Sequence, residues 1–320
     1  MTNHRLGLGL ASLLLTLAGL ANCGGGRSAV QVVPSPTPTP SPTPLPGIPA
    51  ADHVFLVLLE NHSFSEVIGN PAMPYLNSLA SRFSVATNYF ANTHPSIGNY
   101  FLLTTGLIES NDDAFTGTIA DDNIVRALAG AGKTWKAYME SLPGVGYTGP
   151  DVYPYAKHHN PFSYFTDVLN SSAQAANIVS SAQLAVDLSS GVLPAFAFVV
   201  PNLNHDAHDC PVAGTSCVDA DKLAAADNWL RANIDPVLTN SAFANSILII
   251  TWDESDPTDV ANGGGQIAPV LAGAHVKAGF RSVTFYQHES VLRLILDLLQ
   301  VSDHPGASAT APSMQEFFSF

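Results

Sequence analysis

Four short runs, residues 54–59 (VFLVLL), 195–200 (AFAFVV), 247–251 (ILIIT) and 267–271 (IAPVL), are apolar, rich in branched residues and free of charge. A strand covered on both faces needs this continuous pattern rather than strict alternation, so each run predicts a buried strand. Between them, residues 74–82, 123–131, 172–188, 220–234 and 288–299 repeat apolar positions three and four apart, which predicts helices with one buried face. Strands alternating with helices predict an α/β fold, three layers deep (α/β/α), with a mostly parallel central sheet. Residues 140–165 carry Gly, Pro, Tyr and His without a period and predict a long loop over a functional site. No internal repeat is present.

Polar clusters stand where the apolar runs end. The first run stops at Glu60-Asn61-His62-Ser63-Phe64, and similar clusters follow as Thr93-His94-Pro95-Ser96, His205-Asp206-Ala207-His208-Asp209 and Asp253-Glu254. Buried parallel strands deliver ligands to the rim at their carboxyl ends, so the four clusters predict one site. Ser96 falls where a loop turns into the apolar stretch Ile97-Gly98-Asn99-Tyr100-Phe101. A helix start there offers free N–H groups to an oxyanion, while a simple serine N-cap explains the same residue. An acidic pair after a strand, such as Asp253-Glu254, equally suits the first turn of a helix.

Composition narrows the class. With 320 residues and 46% hydrophobic content, the chain can build one large domain. A net charge of -14 with 12 Lys and Arg excludes a large nucleic-acid footprint, which needs clustered cations. It leaves anionic substrates open if a metal ion or local His and Arg supply positive charge. At the start, His4 and Arg5 precede the apolar residues 6–20, a length that fits a signal peptide better than a membrane span. Leu20-Ala21-Asn22-Cys23-Gly24 is similar to a bacterial lipobox, with Asn22 where a small residue is usual. Residues 1–22 therefore predict a lipoprotein-type leader and Cys23 a lipid anchor to a membrane; a plain secretory signal is the alternative. Residues 23–51, Pro-, Ser- and Thr-rich from Pro34 to Pro49, predict a tether, and residues 52–320 the catalytic domain. In an exported protein, Cys210 and Cys217 predict a local disulfide; a zinc pair lacks a second cysteine pair and C-x-x-C spacing. Gly263-Gly264-Gly265 lacks dinucleotide-site spacing and predicts a flexible loop tip.

The opening Glu60-Asn61-His62-Ser63-Phe64 run, the Pro95-Ser96-Ile97-Gly98-Asn99-Tyr100 segment with Thr104-Thr105-Gly106, and the later segments 201–209, 251–254 and 286–293 occur in a telling order. In that order they resemble the phosphoesterase family of acid phosphatases and phospholipases C, within the alkaline-phosphatase superfamily. The resemblance implies an alkaline-phosphatase-like fold, Ser96 as nucleophile, Asn99 on a phosphoryl oxygen, and a divalent metal ion on Glu60 or Asn61, Ser96, Asp253 and Glu254. It leaves His94, His205, His208 and His288 to protonate the leaving group, clamp phosphate or hold a second metal. His208 and His288 fall within family-like motifs. Asn204 stands where two-metal relatives place an Asp, so Asp206 is the candidate substitute, as a ligand or by orienting a histidine. His62 would cap or buttress the first loop. Ser255-Asp256-Pro257 departs from the family pattern, which usually continues with His or Gly.

The implied activity is hydrolysis of phosphoric esters by an exported, cell-envelope or secreted enzyme acting on a phosphate monoester. A phospholipase C acting on phosphatidylcholine-type lipids is the alternative, followed by a catalytically inactive surface binding lipoprotein. Sulfatase chemistry would need a C/S-x-P-x-R context, which Ser96 lacks.

Overall fold

A computed structural model describes residues 47–319. The expected leader, the expected anchor residue Cys23 and most of the expected tether lie outside the described residues. Packing begins slightly ahead of Asp52: Ile48 is buried, and the Ala51 N–H donates to the Leu298 carbonyl at 2.8 Å.

The central sheet has eight strands, and ten strands occur among the described residues: β1 His53–Leu59, β2 Ser84–Ala86, β3 Tyr89–Phe90, β4 Trp135–Met139, β5 Ile178–Ser180, β6 Phe196–Val200, β7 Ser246–Trp252, β8 Gln266–Ile267, β9 Val270–Gly273 and β10 Phe280–Ser282. The order across the central sheet is β10-β2-β9-β7-β1-β6-β4-β5, and only β9 runs against its neighbours. Residues 54–59 of β1 are all fully buried, with β7 on one side and β6 on the other, as the continuous apolar run requires. The fold is therefore the expected α/β type with a mostly parallel sheet. Helix Pro74–Arg82 lies along helix Asp219–Leu238, where Asp227 accepts the N–H groups of Tyr75 at 2.9 Å and Leu76 at 2.8 Å, filling the first turn's open donors. Helix Ser96–Thr105 packs on helix His288–Leu298.

Three expectations change. The run 267–271 is two strands, because Pro269 has no N–H to give a ladder; β8 pairs with β3 in a small separate sheet and β9 enters the main one. The predicted helix 172–188 is helix Ser172–Ala175, strand β5 and helix Gln183–Ser190. Ile178 and Val179 are pulled into the sheet beside β4, itself a strand that polar Lys136 concealed. The glycine run is not a free tip: Gly264 and Gly265 are buried, and a Cβ at Gly263 would stand 1.9 Å from the Asn92 carbonyl oxygen. Glycine is required there so that the loop after β7 can lie against the chain leading to Ser96.

Candidate active site

Strands β6, β1 and β7 are neighbours, and all three release their polar clusters at the same edge. Leu59 pairs with Trp252, so the next residues, Glu60 and Asp253, emerge side by side. The Asp253 N–H donates to the Leu59 carbonyl at 3.0 Å and the Glu60 N–H to the Asp206 carbonyl at 2.8 Å, tying the three strand ends together. Helix Ser96–Thr105 brings its first residue to this edge. Pro95 occupies the N-cap, so Ser96 is no N-cap serine; its hydroxyl donates to Glu60 Oε2 at 3.1 Å. Gly98, two residues further on, allows close approach, since a Cβ there would meet Asn111 Oδ1 at 2.2 Å and Thr93 Cγ2 at 2.7 Å.

Asn61 has φ 54, a left-handed conformation that Asn tolerates. This turns its N–H onto Asp253 Oδ1 at 3.2 Å and its amide onto Glu60 Oε2 at 3.2 Å. Tyr100 donates a short hydrogen bond to Glu60 Oε1. Glu254 bridges two elements, receiving Asn99 Nδ2 at 3.2 Å and lying 2.9 Å from His94 Nδ1. His62 turns back on its own loop, with Nδ1 at 2.9 Å from the Glu60 carbonyl.

Four carboxylates, Glu60, Asp206, Asp253 and Glu254, are buried here. Desolvation, then the neighbouring charges of Asp253 and Asp206, hold Glu60 well above the usual carboxylate range. Desolvation does the same to Asp206 and, joined by Glu254, to Asp253; it also raises Glu254, partly offset by His94. Asp206 Oδ2 and Asp253 Oδ2 are buried without a hydrogen-bond partner. Among the described residues, no Lys or Arg bonds to any of the four. Buried oxygen ligands with uncompensated charge are what a divalent cation requires, so the residues present fit one.

His159 completes this cluster from the loop 140–165, a residue that neither strand-end position nor period marks. Its only sequence signal is membership of a His-bearing loop expected to cover the site. Fully buried and stacked on Tyr100 with ring centroids 5.0 Å apart, it places Nε2 3.4 Å from Glu60 Oε1 and Nδ1 3.6 Å from Asp206 Oδ2. Donor atoms of Glu60, His159 and Asp206 all lie within 4.8 Å of one another. Burial and the nearby His158 and His208 push the His159 imidazole well below its ordinary value, which keeps it neutral and able to ligate.

The other expected residues divide. His208 lines the open pocket with Ser96, Asn61 and Glu254, and its Nδ1 lies 2.8 Å from Asp209 Oδ1. His288 is fully buried with both nitrogens engaged, Nδ1 by the Tyr89 hydroxyl at 3.0 Å and Nε2 by the Asp253 carbonyl at 2.6 Å; it reaches the site only through the Asp253 backbone. Asn99, expected on a phosphoryl oxygen, spends its Oδ1 on the Asn92 and Thr93 N–H groups and its Nδ2 on the Thr93 carbonyl and Glu254. His205 turns away to Glu140, 3.0 Å distant. Asn204 donates to the Tyr153 hydroxyl at 2.8 Å and the Cys210 carbonyl at 2.7 Å, holding loops rather than facing the carboxylates. The Ile97 N–H at the helix start is taken by Asp113 Oδ1 at 3.1 Å. Cys210 and Cys217 form the expected disulfide.

The carboxyl edge of the mostly parallel sheet thus holds a Ser hydroxyl against buried carboxylates beside an open pocket. The family model described as Phosphoesterase family matches residues 70–302, and the chain belongs to that family. A phosphatidylinositol-3-phosphatase of Mycobacterium tuberculosis is 31% identical over 275 residues, covering 85% of this chain and 84% of that protein. An acid phosphatase of Aspergillus fumigatus is 30% identical over 76% of this chain, and a probable acid phosphatase of Kluyveromyces lactis 28% over 79%. The chain spans only 54% and 60% of those two fungal proteins, respectively. Among solved structures, an alkaline phosphatase superfamily protein of Vibrio parahaemolyticus superposes with TM-score 0.59 at 13% identity, covering 85% of this chain and 74% of that one. The chain is a phosphoric-ester hydrolase by kinship. Among the described residues no helix is long and apolar enough to cross a membrane.

Proposed function

We propose that this chain is an exported, divalent-metal-dependent phosphomonoesterase in which Ser96 is the nucleophile. The observation that carries the reading is the Ser96 hydroxyl, lining an open pocket of about 400 Å³ while bonded to buried Glu60. Glu60, Asn61, Ser96, Asp253 and Glu254 would hold the ion, with Asp206 and His159 beside Glu60 as a further donor set. Once bound, it would supply Lewis-acid stabilisation of phosphoryl charge and lower the pKa of the Ser96 hydroxyl.

The chain's own groups do the rest. Ser96 Oγ passes its proton to Glu60 Oε2 and forms a bond to phosphorus as the ester P–O bond breaks. His208, held by Asp209, gives the departing alcohol its proton. Water then attacks the phosphoserine and gives a proton to the now neutral His208, while Glu60 returns its proton to Ser96 Oγ as the Oγ–P bond breaks and phosphate leaves. Asn99 and His288 act as positioning residues, fixing Glu254 and Asp253. The Mycobacterium relative, matched over most of its length, supports a phosphorylated headgroup as substrate.

The test compares p-nitrophenyl phosphate, p-nitrophenyl phosphorylcholine and short-chain phosphatidylcholine, with and without chelator, beside Ser96→Ala. Chelator-sensitive monoester hydrolysis lost in Ser96→Ala is expected. Turnover confined to the choline esters would move the assignment to phospholipase C, and activity surviving in Ser96→Ala would remove the nucleophile. Export and anchoring rest on Cys23: Cys23→Ala should release the protein from membranes, and continued attachment would sink the anchor.

A further inference from the structure

Beside the catalytic pocket lies a second one of about 290 Å³. His208 and Lys222 line both, so they form the common wall, and the remaining lining includes Tyr153, Asp209, Cys210 and Thr215. We infer, resting on the phosphomonoesterase reading, that this pocket seats the leaving alcohol and that it selects a hydroxylated ring carrying a second negative group, with Lys222 the reader of that group.

Three observations build the inference. The first is construction. Asn204 ties Tyr153 to the Cys210 carbonyl, the Leu203 N–H donates to the Pro154 carbonyl at 3.1 Å, and the Asp209 N–H donates to the Leu203 carbonyl at 2.8 Å. With the Cys210–Cys217 disulfide closing the far loop, the walls are fixed before any ligand arrives. The second is placement. The nucleophile lines the first pocket and His208 stands at the junction, where an alcohol leaving Ser96-bound phosphorus would receive its proton. The third is chemistry. Tyr153 accepts its bond from Asn204 and keeps its own proton to donate; Thr215 donates to the Val212 carbonyl at 2.7 Å and keeps its lone pairs to accept; Asp209 is a further acceptor. Donors and acceptors placed in this way match ring hydroxyls. Lys222 is the sole Lys or Arg among the residues lining the two pockets, and its ammonium has only a 3.6 Å contact with exposed Asp219. The rim around it is acidic, with Glu66, Asp113 and Asp256. A second phosphate would therefore find one favourable position, beside Lys222, and repulsion elsewhere.

The experiment measures kcat and KM of the full chain on p-nitrophenyl phosphate, myo-inositol 3-phosphate and myo-inositol 1,3-bisphosphate, for the native protein, Lys222→Gln and Thr215→Trp. The native protein should favour the bisphosphate over the monophosphate through KM. Lys222→Gln should raise KM for the bisphosphate about tenfold, with kcat little changed, and erase that preference. Thr215→Trp should raise KM for both inositol esters much more than for the aryl ester. Equal effects on all three substrates, or no native preference for the bisphosphate, would overturn the inference. Calorimetric binding of the bisphosphate to Ser96→Ala, with and without Lys222→Gln, reads the pocket without turnover; affinity indifferent to Lys222 would also overturn it. Inactivity of the native protein on every ester, with Lys222-dependent binding intact, would instead strike the phosphatase reading. The same headgroup on a dioctanoylglycerol separates sources: a higher kcat/KM than for the free bisphosphate points to a lipid, and an equal value to a soluble polyol.

Discussion

His288 should make the fold acid-sensitive by an amount that can be worked out. Burial depresses the imidazole from 6.5 to about 4, against the opposing pull of the Asp253 carbonyl. The unfolded chain takes up a proton on this residue as pH falls below 6.5, while the folded chain does not until about 4. Stability from the neutral ring is therefore complete above 6.5 and drains away toward 4. Linkage puts the loss at about 2 kcal/mol by pH 5 and about 3 kcal/mol by pH 4. Glu60, Asp206 and Asp253 act in the opposite sense. Their folded values are raised, so their contribution is greatest in acid and declines as pH rises. A comparison that shares those carboxylates isolates His288. Urea unfolding at pH 7.5 and pH 5, with chelator present, would be run on the native protein and on His288→Gln, whose amide can still donate to the Asp253 carbonyl. The variant should be less stable at pH 7.5 by about 1–3 kcal/mol for the imperfect replacement of two buried bonds. It should nonetheless lose about 2 kcal/mol less than the native protein on going to pH 5. Parallel acid losses in the two proteins would refute the buried neutral imidazole.

Other perturbations follow from the same contacts. Glu60→Gln removes the carboxylate shared by Ser96, Asn61 and Tyr100, and should cut kcat/KM about 100-fold or more, with weakened metal binding by titration. Asp113→Ala frees the Ile97 N–H and withdraws a negative group from the phosphate pocket, so KM for p-nitrophenyl phosphate should fall several-fold; an unchanged KM would show that substrate never approaches that N–H. Lys136→Met leaves Asp187 buried with only Tyr138 and Gln183, costing about 2–3 kcal/mol in urea unfolding, much of it restored by adding Asp187→Leu. Replacing Cys210 and Cys217 by Ser should cost at most about 2.5 kcal/mol, the chain-entropy value for so short a loop, measurable as a lower Tm.

Local sequence carried much of this protein. Continuous branched runs with nothing polar to place on a second face can satisfy burial only inside a two-sided sheet, so β1, β6 and β7 were legible as strands. The residues immediately after them were legible as a candidate site because a buried strand can turn polar only where it leaves the core. The helices at Pro74–Arg82 and His288–Leu298 followed from period and length. What escaped depended on partners remote in the chain. β4 and β5 become strands because each is paired along its length, and the β8–β9 break appears only when Pro269 has to meet a ladder. His159 lies 99 residues from Glu60 in a loop without period, and only packing on Tyr100 brings it there. Asn99 and His288 carry groups suited to catalysis, but their hydrogen-bond capacity is already taken, by Asn92, Thr93 and Glu254 in one case and by Tyr89 and Asp253 in the other. A sequence states which donors and acceptors a residue owns. Which of them remain free is decided by every other element that packs against it, and so belongs to tertiary structure alone.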